Sequence, residues 1–272
     1  MSNLFTRSIT GIVFSLAVLG ATYYGQLALG ILFLVFASVG LYEVYELARH
    51  KESNEPRWFA GMFVGVTIYL LVFLVLTNSI DSNWLWSIAF LIPSILCFEL
   101  VKLDNESLTK IAVTFFGWIY AILPFALVNA VPLVNGTYEY EILLGFFVIL
   151  WSNDTGAYFV GKFFGKRKLY PKVSPNKTWE GLFGGVILCF SIAFLFSEYF
   201  VALTRMEWLV MALIVAVFGN LGDLFESQLK RSFQVKDSGK LIPGHGGVLD
   251  RFDGLLIALP VLLAFLILNR IL

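Results

Sequence analysis

Apolar runs of roughly 20 residues dominate this chain, and this is the length that an α-helix needs to cross a bilayer. Hydrophobic residues make up 58% of the 272 residues, and charged residues only 14%. A typical soluble domain has about 25% charged residues, and an unusual core would not explain so large a shortfall. The composition therefore excludes a soluble globular protein and predicts an all-α fold, a polytopic integral membrane helical bundle.

About nine segments are apolar enough to be predicted as transmembrane helices. They lie at residues 8–25, 27–47, 58–77, 83–101, 110–131, 141–161, 181–202, 207–221 and 254–272. We divide the chain into N-terminal transmembrane helices, 1–140, and a catalytic transmembrane region, 141–272. The second region contains two hydrophilic segments, 162–180 and 222–253, which we expect to be loops.

The distribution of Lys and Arg indicates the orientation of the chain. With nine spans, all but two of the 19 Lys and Arg residues fall on the same side as the N-terminus. The two exceptions are Arg205 and Arg270. Cytoplasmic loops carry the excess of Lys and Arg, so we predict a cytoplasmic N-terminus and two cytoplasmic hydrophilic segments. The modest length without a long soluble tail favours a prokaryotic plasma (inner) membrane.

Few side chains are available for nucleophilic catalysis. Cys97 and Cys189 lie inside apolar runs without metal or redox spacing, and we expect both to be small buried apolar groups. His50 and His245 are the two histidines, and neither cysteine has an obvious base partner. A phosphate monoester needs no activated Ser or Cys, because it is largely dianionic near neutral pH, with a second pKa of about 6.

The segment 162–180 carries six Lys and Arg residues and one carboxylate. A loop that only fixes topology would also be basic, but topology does not need the amide and hydroxyl groups of Ser174-Pro-Asn-Lys-Thr178. These groups can bind phosphate oxygens or cap the next helix. The predicted substrate-binding residues in this segment are Ser174, Asn176, Lys177 and Thr178.

The segment 222–253 begins with polar residues that share one face of a helix. Asp223, Glu226, Ser227 and Lys230 are spaced at i, i+3, i+4 and i+7. An amphipathic helix lying in the membrane interface is the alternative. However, the segment follows a span almost directly, and a carboxylate at the membrane boundary is costly and indicates function.

The same segment ends in a glycine-rich turn, 244–247, followed by Asp250 and Asp253. Glycines let backbone amides approach an anion closely. Carboxylates hold Mg²⁺, while Lys, Arg and backbone amides hold phosphate oxygens. The turn and its charged neighbours therefore suit a polyphosphate with its metal ion.

Asn153 and Asp154 interrupt the sixth apolar span. In the predicted orientation Asp154 lies in the cytoplasmic half of this span, where we expect it to face a polar cavity shared with both hydrophilic segments. The alternative is a buried carboxylate that is paired with a lysine for structure only.

Residues 227–253 resemble the signature of the phosphatidate cytidylyltransferase (CDP-diacylglycerol synthase) family. The match consists of Ser227-Gln-Leu-Lys230-Arg231, Lys236-Asp237, Pro243-Gly-His245-Gly246-Gly247 and Asp250-Arg251-Phe-Asp253. The stretch 174–181 is similar to a second motif of the family, with Asn176 where the family often has Lys. The stretch 154–158 resembles a third motif. These motifs lie within residues 151–254, and a patterned match of this length is highly specific.

The resemblance implies a Mg²⁺-dependent reaction in which phosphatidate attacks the α-phosphorus of CTP and pyrophosphate leaves. It implies that Asp223 and Asp250 are metal ligands for one or two cations, with Asp253 as a further ligand or as a partner for Arg251. The predicted catalytic residues are Asp223, Asp250, Lys230, Arg231 and His245. The predicted substrate-binding residues are Asp154, Ser174, Asn176, Lys177, Thr178, Glu226, Ser227, Lys236, Asp237, Lys240, Gly246, Gly247 and Arg251.

The predicted partners are CTP, phosphatidic acid and membrane lipids, with no nucleic acid and with a homodimer as one option for assembly. A CTP-dependent kinase of a polyprenol or phytol would share the spans but would transfer the γ-phosphate. Residues 250–254 faintly resemble the end of the Asp-rich motif of a CDP-alcohol phosphotransferase, but the Asp-Gly and Ala-Arg opening of that motif is missing nearby. A transporter would suit the intramembrane polar pair at 153–154, but the polar residues concentrate on one face of the membrane.

Overall fold

The structure is a computed structural model that describes residues 3–50, 56–102, 107–239 and 246–271. Its helices are α1 (Asn3–Tyr24), α2 (Gln26–Arg49), α3 (Trp58–Leu76), α4 (Ser87–Lys102), α5 (Ser107–Gly117), α6 (Leu123–Val128), α7 (Tyr140–Phe164), α8 (Trp179–Tyr199), α9 (Arg205–Ile214), α10 (Asn220–Ser232) and α11 (Leu249–Ile271). Two strands, β1 (Lys168–Tyr170) and β2 (Ser174–Thr178), pair antiparallel between α7 and α8. Short π-helical segments join α5 to α6 and α9 to α10.

Seven helical stretches of the described chain are long and apolar enough to cross a membrane. They are Gln26–Arg49, Trp58–Leu76, Leu108–Leu133, Tyr140–Phe164, Trp179–Tyr199, Arg205–Ser232 and Leu249–Ile271. Two shorter apolar helices, Ile9–Tyr24 and Ser82–Cys97, lie where the first and fourth spans were predicted. The all-α, polytopic fold is therefore confirmed.

The last two spans are longer than the apolar runs that predicted them. The eighth was predicted to end at residue 221, but its helical stretch continues to Ser232. The ninth was predicted to begin at residue 254, but α11 begins at Leu249. In both cases polar side chains lower the local hydropathy without interrupting the hydrogen bonding of the helix, so apolar length alone placed the ends wrongly.

The chain forms two compact units. The first unit contains Met1–Ala130 and Phe233–Arg251. Its core includes the fully buried face of α2, on which Leu29, Phe33, Ala37 and Leu41 recur every four residues.

The second unit contains Val131–Ser232 and Phe252–Leu272. Glycines bring α7 and α8 into backbone contact, because a Cβ at Gly156 would lie 2.7 Å from the carbonyl oxygen of Gly184. A Cβ at Gly181 would lie 2.8 Å from the carbonyl oxygen of Ala157. Close approach through small residues is a common way for helices to associate in a membrane, and here it fixes the two helices that flank the hairpin.

Candidate active site

The basic segment between α7 and α8 folds into a hairpin that is tied to the start of α8. Thr178, the last residue of β2, is the N-cap of α8, and its Oγ1 accepts a hydrogen bond of 3.1 Å from the backbone N–H of Gly181. The Glu180 carboxylate accepts hydrogen bonds from the backbone N–H groups of Lys166 and Arg167, at 3.0 and 3.2 Å. These contacts hold the polar strand β2 beside the helix that follows it.

A cavity of about 490 Å³ opens beside β2 within the second unit. The predicted substrate-binding residues Asn176, Lys177 and Thr178 line it from the hairpin. Asp154 lines it from α7, and Asp223 from α10. Its walls are completed by Ala157, Tyr158, Gly161, Lys162, Leu169, Gly181, Leu182 and Asn220. The hairpin and the two helices therefore bring cationic, hydroxyl, amide and carboxylate groups to one space.

Lys177 and Asp223 form an ion pair across this cavity, with 2.6 Å between Nζ and Oδ2. The two side chains are 22% and 33% exposed, although the Nζ atom of Lys177 itself is buried. Asp253, near the start of α11, interacts electrostatically with Asp223, Asp154 and Lys177. Gly222 lets α10 approach α11 here, because a Cβ at this position would overlap the carbonyl oxygen of Asp253.

Asp253 is therefore close enough to Asp154, Asp223 and Lys177 for their charges to act on it. Among the described residues, no group of three His, Cys, Asp or Glu side chains is arranged closely enough to hold a metal ion. Mg²⁺ is commonly held by one or two carboxylates together with substrate phosphates and water, without a cage made of protein alone. Two of the three carboxylates Asp154, Asp223 and Asp253 would suffice for that manner of binding.

The polar face predicted for residues 223–230 is present on α10, but its side chains differ in their surroundings. The Ser227 hydroxyl donates to Asp223 Oδ1 at 3.3 Å. Glu226 is fully buried and pairs with Lys230, at 3.1 Å between Oε1 and Nζ. Arg231 is exposed. Of this polar face, Asp223 lines the cavity. Glu226 and Lys230 do not line it and instead form an i, i+4 pair.

The glycine-rich turn and Asp250 belong to the first unit. Asp250 Oδ2 accepts hydrogen bonds from the backbone N–H groups of Ser238 and Gly247, at 2.9 and 2.8 Å, and lies 3.0 Å from the Ser238 hydroxyl. Gly246 has a φ of 85°, in the left-handed region that favours glycine. The Gly247 amide is therefore directed at a carboxylate within the chain.

The remaining predicted residues either have exposed or partly buried side chains or lie outside the described part of the chain. Lys236, Asp237 and Arg251 are exposed, and Ser174 is partly buried in β2. Lys240 and His245 fall outside the described residues, so their roles stay predictions.

Sequence reasoning missed several residues of these surroundings. Lys162 and Asn220 line the cavity, and Asn220 also donates to the Asn153 side chain at 3.3 Å. Glu43 of α2 accepts hydrogen bonds from the Val248 and Leu249 amides. An amide or carboxylate within an apolar span is a signal of function by default, and this signal was used for residues 153–154 but not for Glu43 or Asn220.

The chain is similar to known proteins over almost its whole length. A family model described as the cytidylyltransferase family matches residues 5–268 of the chain. A Staphylococcus epidermidis protein named phosphatidate cytidylyltransferase is 34% identical over 270 residues, which cover 96% of this chain and 98% of the relative. A Bacillus subtilis protein of the same name is 33% identical over 275 residues, covering 96% of this chain and 97% of the relative.

Proposed function

The chain belongs to the cytidylyltransferase family, and on this premise we propose that it transfers the cytidylyl group of CTP to phosphatidic acid. The products are CDP-diacylglycerol and pyrophosphate, in phospholipid biosynthesis. The observation that carries the proposal is the cavity in which Lys177, Asn176 and Thr178 of the hairpin face Asp154 and Asp223 of two helices. A cavity with these groups can bind both the phosphates of a nucleotide and a divalent cation.

Positioning and charge neutralisation are the main requirements of this transfer. An oxygen of the phosphatidate monoester forms a bond to the α-phosphorus of CTP, while the bond from that phosphorus to the oxygen bridging the β-phosphate breaks. Pyrophosphate leaves with the electron pair of the broken bond, and no proton has to be removed from the dianionic monoester. Lys177 supplies positive charge to the phosphates, and Asn176 and Thr178 line the same wall of the cavity.

We propose Mg²⁺ as the cofactor, held by Asp223 and Asp253 together with phosphate oxygens and water, with Asp154 nearby. When bound, the cation would neutralise charge on the phosphates and help to align them. The assignment of Asp250 as a ligand, and a second cation, stay predictions from the family resemblance.

An apolar groove adjoins the cavity, and we assign it to one acyl chain of phosphatidic acid. The groove has a volume of about 410 Å³ and shares Leu169, Leu182 and Asn220 with the cavity. Its remaining lining is apolar apart from the Tyr170 hydroxyl: Tyr170, Val186, Leu213, Ala216, Val217, Leu221 and Leu224. A lipid whose headgroup lies in the cavity would therefore find an apolar surface for one chain.

Substitutions that fill the groove test this assignment. Val217→Trp should raise the KM for dioleoyl phosphatidate by about tenfold, since each buried methylene contributes roughly 0.8 kcal/mol, and should leave the KM for CTP unchanged. A short-chain phosphatidate should be affected less. Ile187→Trp, at an exposed position of α8 outside the groove, is the matched control. Equal changes in both KM values for Val217→Trp would contradict the assignment.

The location of the label after reaction tests the function itself. Purified protein in detergent is given Mg²⁺ and CTP labelled at the α- or the γ-phosphate, with phosphatidic acid or diacylglycerol as acceptor. We expect label in lipid only from α-labelled CTP with phosphatidic acid. Transfer of the γ-label to an alcohol acceptor would instead indicate a kinase and would overturn the proposal.

The proposal also includes the membrane orientation and the oligomeric state of the protein. We place the cavity on the cytoplasmic face of a bacterial plasma membrane, because the hairpin beside it carries the basic residues that the positive-inside rule assigns to the cytoplasm. A homodimer stays a prediction, which light scattering in detergent with correction for bound detergent would test.

A further inference from the structure

Glu43 is a buried carboxylate in α2, a helix long and apolar enough to cross the membrane. Only 1% of its surface is exposed. A carboxylate in such surroundings is costly unless hydrogen bonds compensate for the lost water. Its partners therefore indicate what keeps it in place.

The partners are in the segment that carries the glycine-rich turn and Asp250. Glu43 Oε1 accepts a hydrogen bond of 2.8 Å from the Val248 amide, and Oε2 accepts one of 2.9 Å from the Leu249 amide. These amides lie at the start of α11, where backbone N–H groups have no partner within the helix and the helix dipole favours a negative charge. Glu43 thus caps, from another helix, the helix on which Asp250 occupies the first turn.

Ser238 connects the two carboxylates. Its hydroxyl lies 3.1 Å from Glu43 Oε2 and 3.0 Å from Asp250 Oδ2, and its amide donates to Asp250 Oδ2 at 2.9 Å. The hydroxyl has one proton and can donate fully to one carboxylate at a time. Displacement of Glu43 would therefore change the hydrogen bonding of Asp250 as well as the start of α11.

Two glycines of the signature segment are packed against the same carboxylate. A Cβ at Gly239 would lie 2.5 Å from Glu43 Oε1, and a Cβ at Gly247 would overlap Oε2. The absence of side chains at these positions makes room for Glu43. The local shape of the signature segment thus depends on a residue about 200 positions earlier in the chain.

We propose that Glu43 is a positioning residue for the transfer reaction, which orients Asp250 through the start of α11 and through Ser238. This inference rests on the proposed function and on the predicted role of Asp250. Glu43 itself does not contact substrate. Its loss lowers the fraction of enzyme in which Asp250 is correctly oriented, without removing a group that binds CTP or lipid.

The test compares Glu43→Gln with wild type in detergent, using kcat per folded, monodisperse protein. Glutamine has nearly the same volume as glutamate, but only one of its two terminal atoms is an acceptor. Its NH₂ group would replace a carboxylate oxygen and would then face an N–H or hydroxyl group that is itself a donor. We expect kcat to fall by about 30- to 100-fold, as for a misplacement of about 1 Å, and both KM values to change by less than about threefold. Glu207→Gln is the control, because Glu207 is also a buried cap, of α9, and pairs with Arg270; its kcat should stay within about twofold.

Two further measurements separate positioning from a general loss of stability. Hydrogen exchange should become faster at residues 246–251 in Glu43→Gln but not in Glu207→Gln. Ser238→Ala should lower kcat, and the double variant with Glu43→Gln should be no slower than Glu43→Gln alone, because both act through Asp250. A Glu43→Gln enzyme with wild-type kcat, or equal losses in the Glu43 and Glu207 variants, would overturn the inference.

The variant Asp250→Asn distinguishes this failure from a failure of the proposed function. If wild type makes CDP-diacylglycerol and Asp250→Asn does not, an active Glu43→Gln refutes only the positioning role. If wild type makes no lipid product, the proposed function fails first.

Discussion

Gly156 allows the backbones of α7 and α8 to touch, and its replacement by alanine is expected to disturb the cavity. The added Cβ would lie 2.7 Å from the carbonyl oxygen of Gly184 and 3.1 Å from the Cα of Gly185, whereas ordinary contact begins at 3.4 Å. The two helices would have to separate by about 0.7 Å, because backbone atoms cannot rotate away as a side chain can. Overpacking of this kind costs about 1–3 kcal/mol of folding free energy.

The separation would also move groups that line the cavity. Asp154 lies two residues from Gly156 on α7, and Gly181 and Leu182 line the cavity from α8. A displacement approaching 1 Å at a reacting site can lower the rate by about 10- to 100-fold. We therefore expect Gly156→Ala to lose activity in that range even at temperatures where the protein stays folded.

The assay measures CDP-diacylglycerol formation per folded protein, next to thermal unfolding in the same detergent. Gly20→Ala is the matched control, because a Cβ at Gly20 would meet no atom within 4 Å, and it should keep wild-type activity and stability. Wild-type kcat in folded Gly156→Ala would refute the argument that contact between α7 and α8 sets the geometry of the cavity.

Three other predictions concern the hairpin and its surroundings. Lys177→Met should lower kcat/KM by about 100-fold, as expected for loss of a charged group at a phosphate, whereas Lys172→Met, at an exposed position, should have little effect in the same assay. Thr178→Ala should destabilise the start of α8 by about 1 kcal/mol, while Thr178→Ser should largely retain the cap, as measured by thermal unfolding. In a cysteine-free background, an impermeant maleimide should label Met206→Cys from outside intact cells and Lys172→Cys only after permeabilisation; the reverse pattern would contradict the predicted orientation.

Helical membrane spans could be predicted from the sequence because a bilayer imposes one strong requirement on backbone hydrogen bonds. The number and order of apolar segments follow from this requirement. The ends of the last two spans could not be predicted in this way, because the helices that carry Asp223 and Asp250 extend beyond the apolar runs. Hydropathy measures the average surroundings of a segment and not the continuity of its helix.

The polar face of α10 and its contacts could be predicted only in part. Spacing placed Asp223 and Ser227 on one helix face, and their hydrogen bond bears out this placement. Spacing could not show that Glu226 is buried against Lys230 while Asp223 faces a cavity, because this depends on which helix packs on which face. It also could not show the contact between Glu43 and Val248, since partners so far apart in sequence leave no local pattern.

We propose that this chain transfers a cytidylyl group at the cavity that contains Asp223. The most direct measurement gives purified wild type and Asp223→Asn α-labelled CTP, phosphatidic acid and Mg²⁺, with Glu198→Gln as a control for an exposed carboxylate. We predict labelled CDP-diacylglycerol from wild type and Glu198→Gln, and at least about 100-fold less from Asp223→Asn. Equal product from Asp223→Asn, or no lipid product from folded wild type, would contradict the claim.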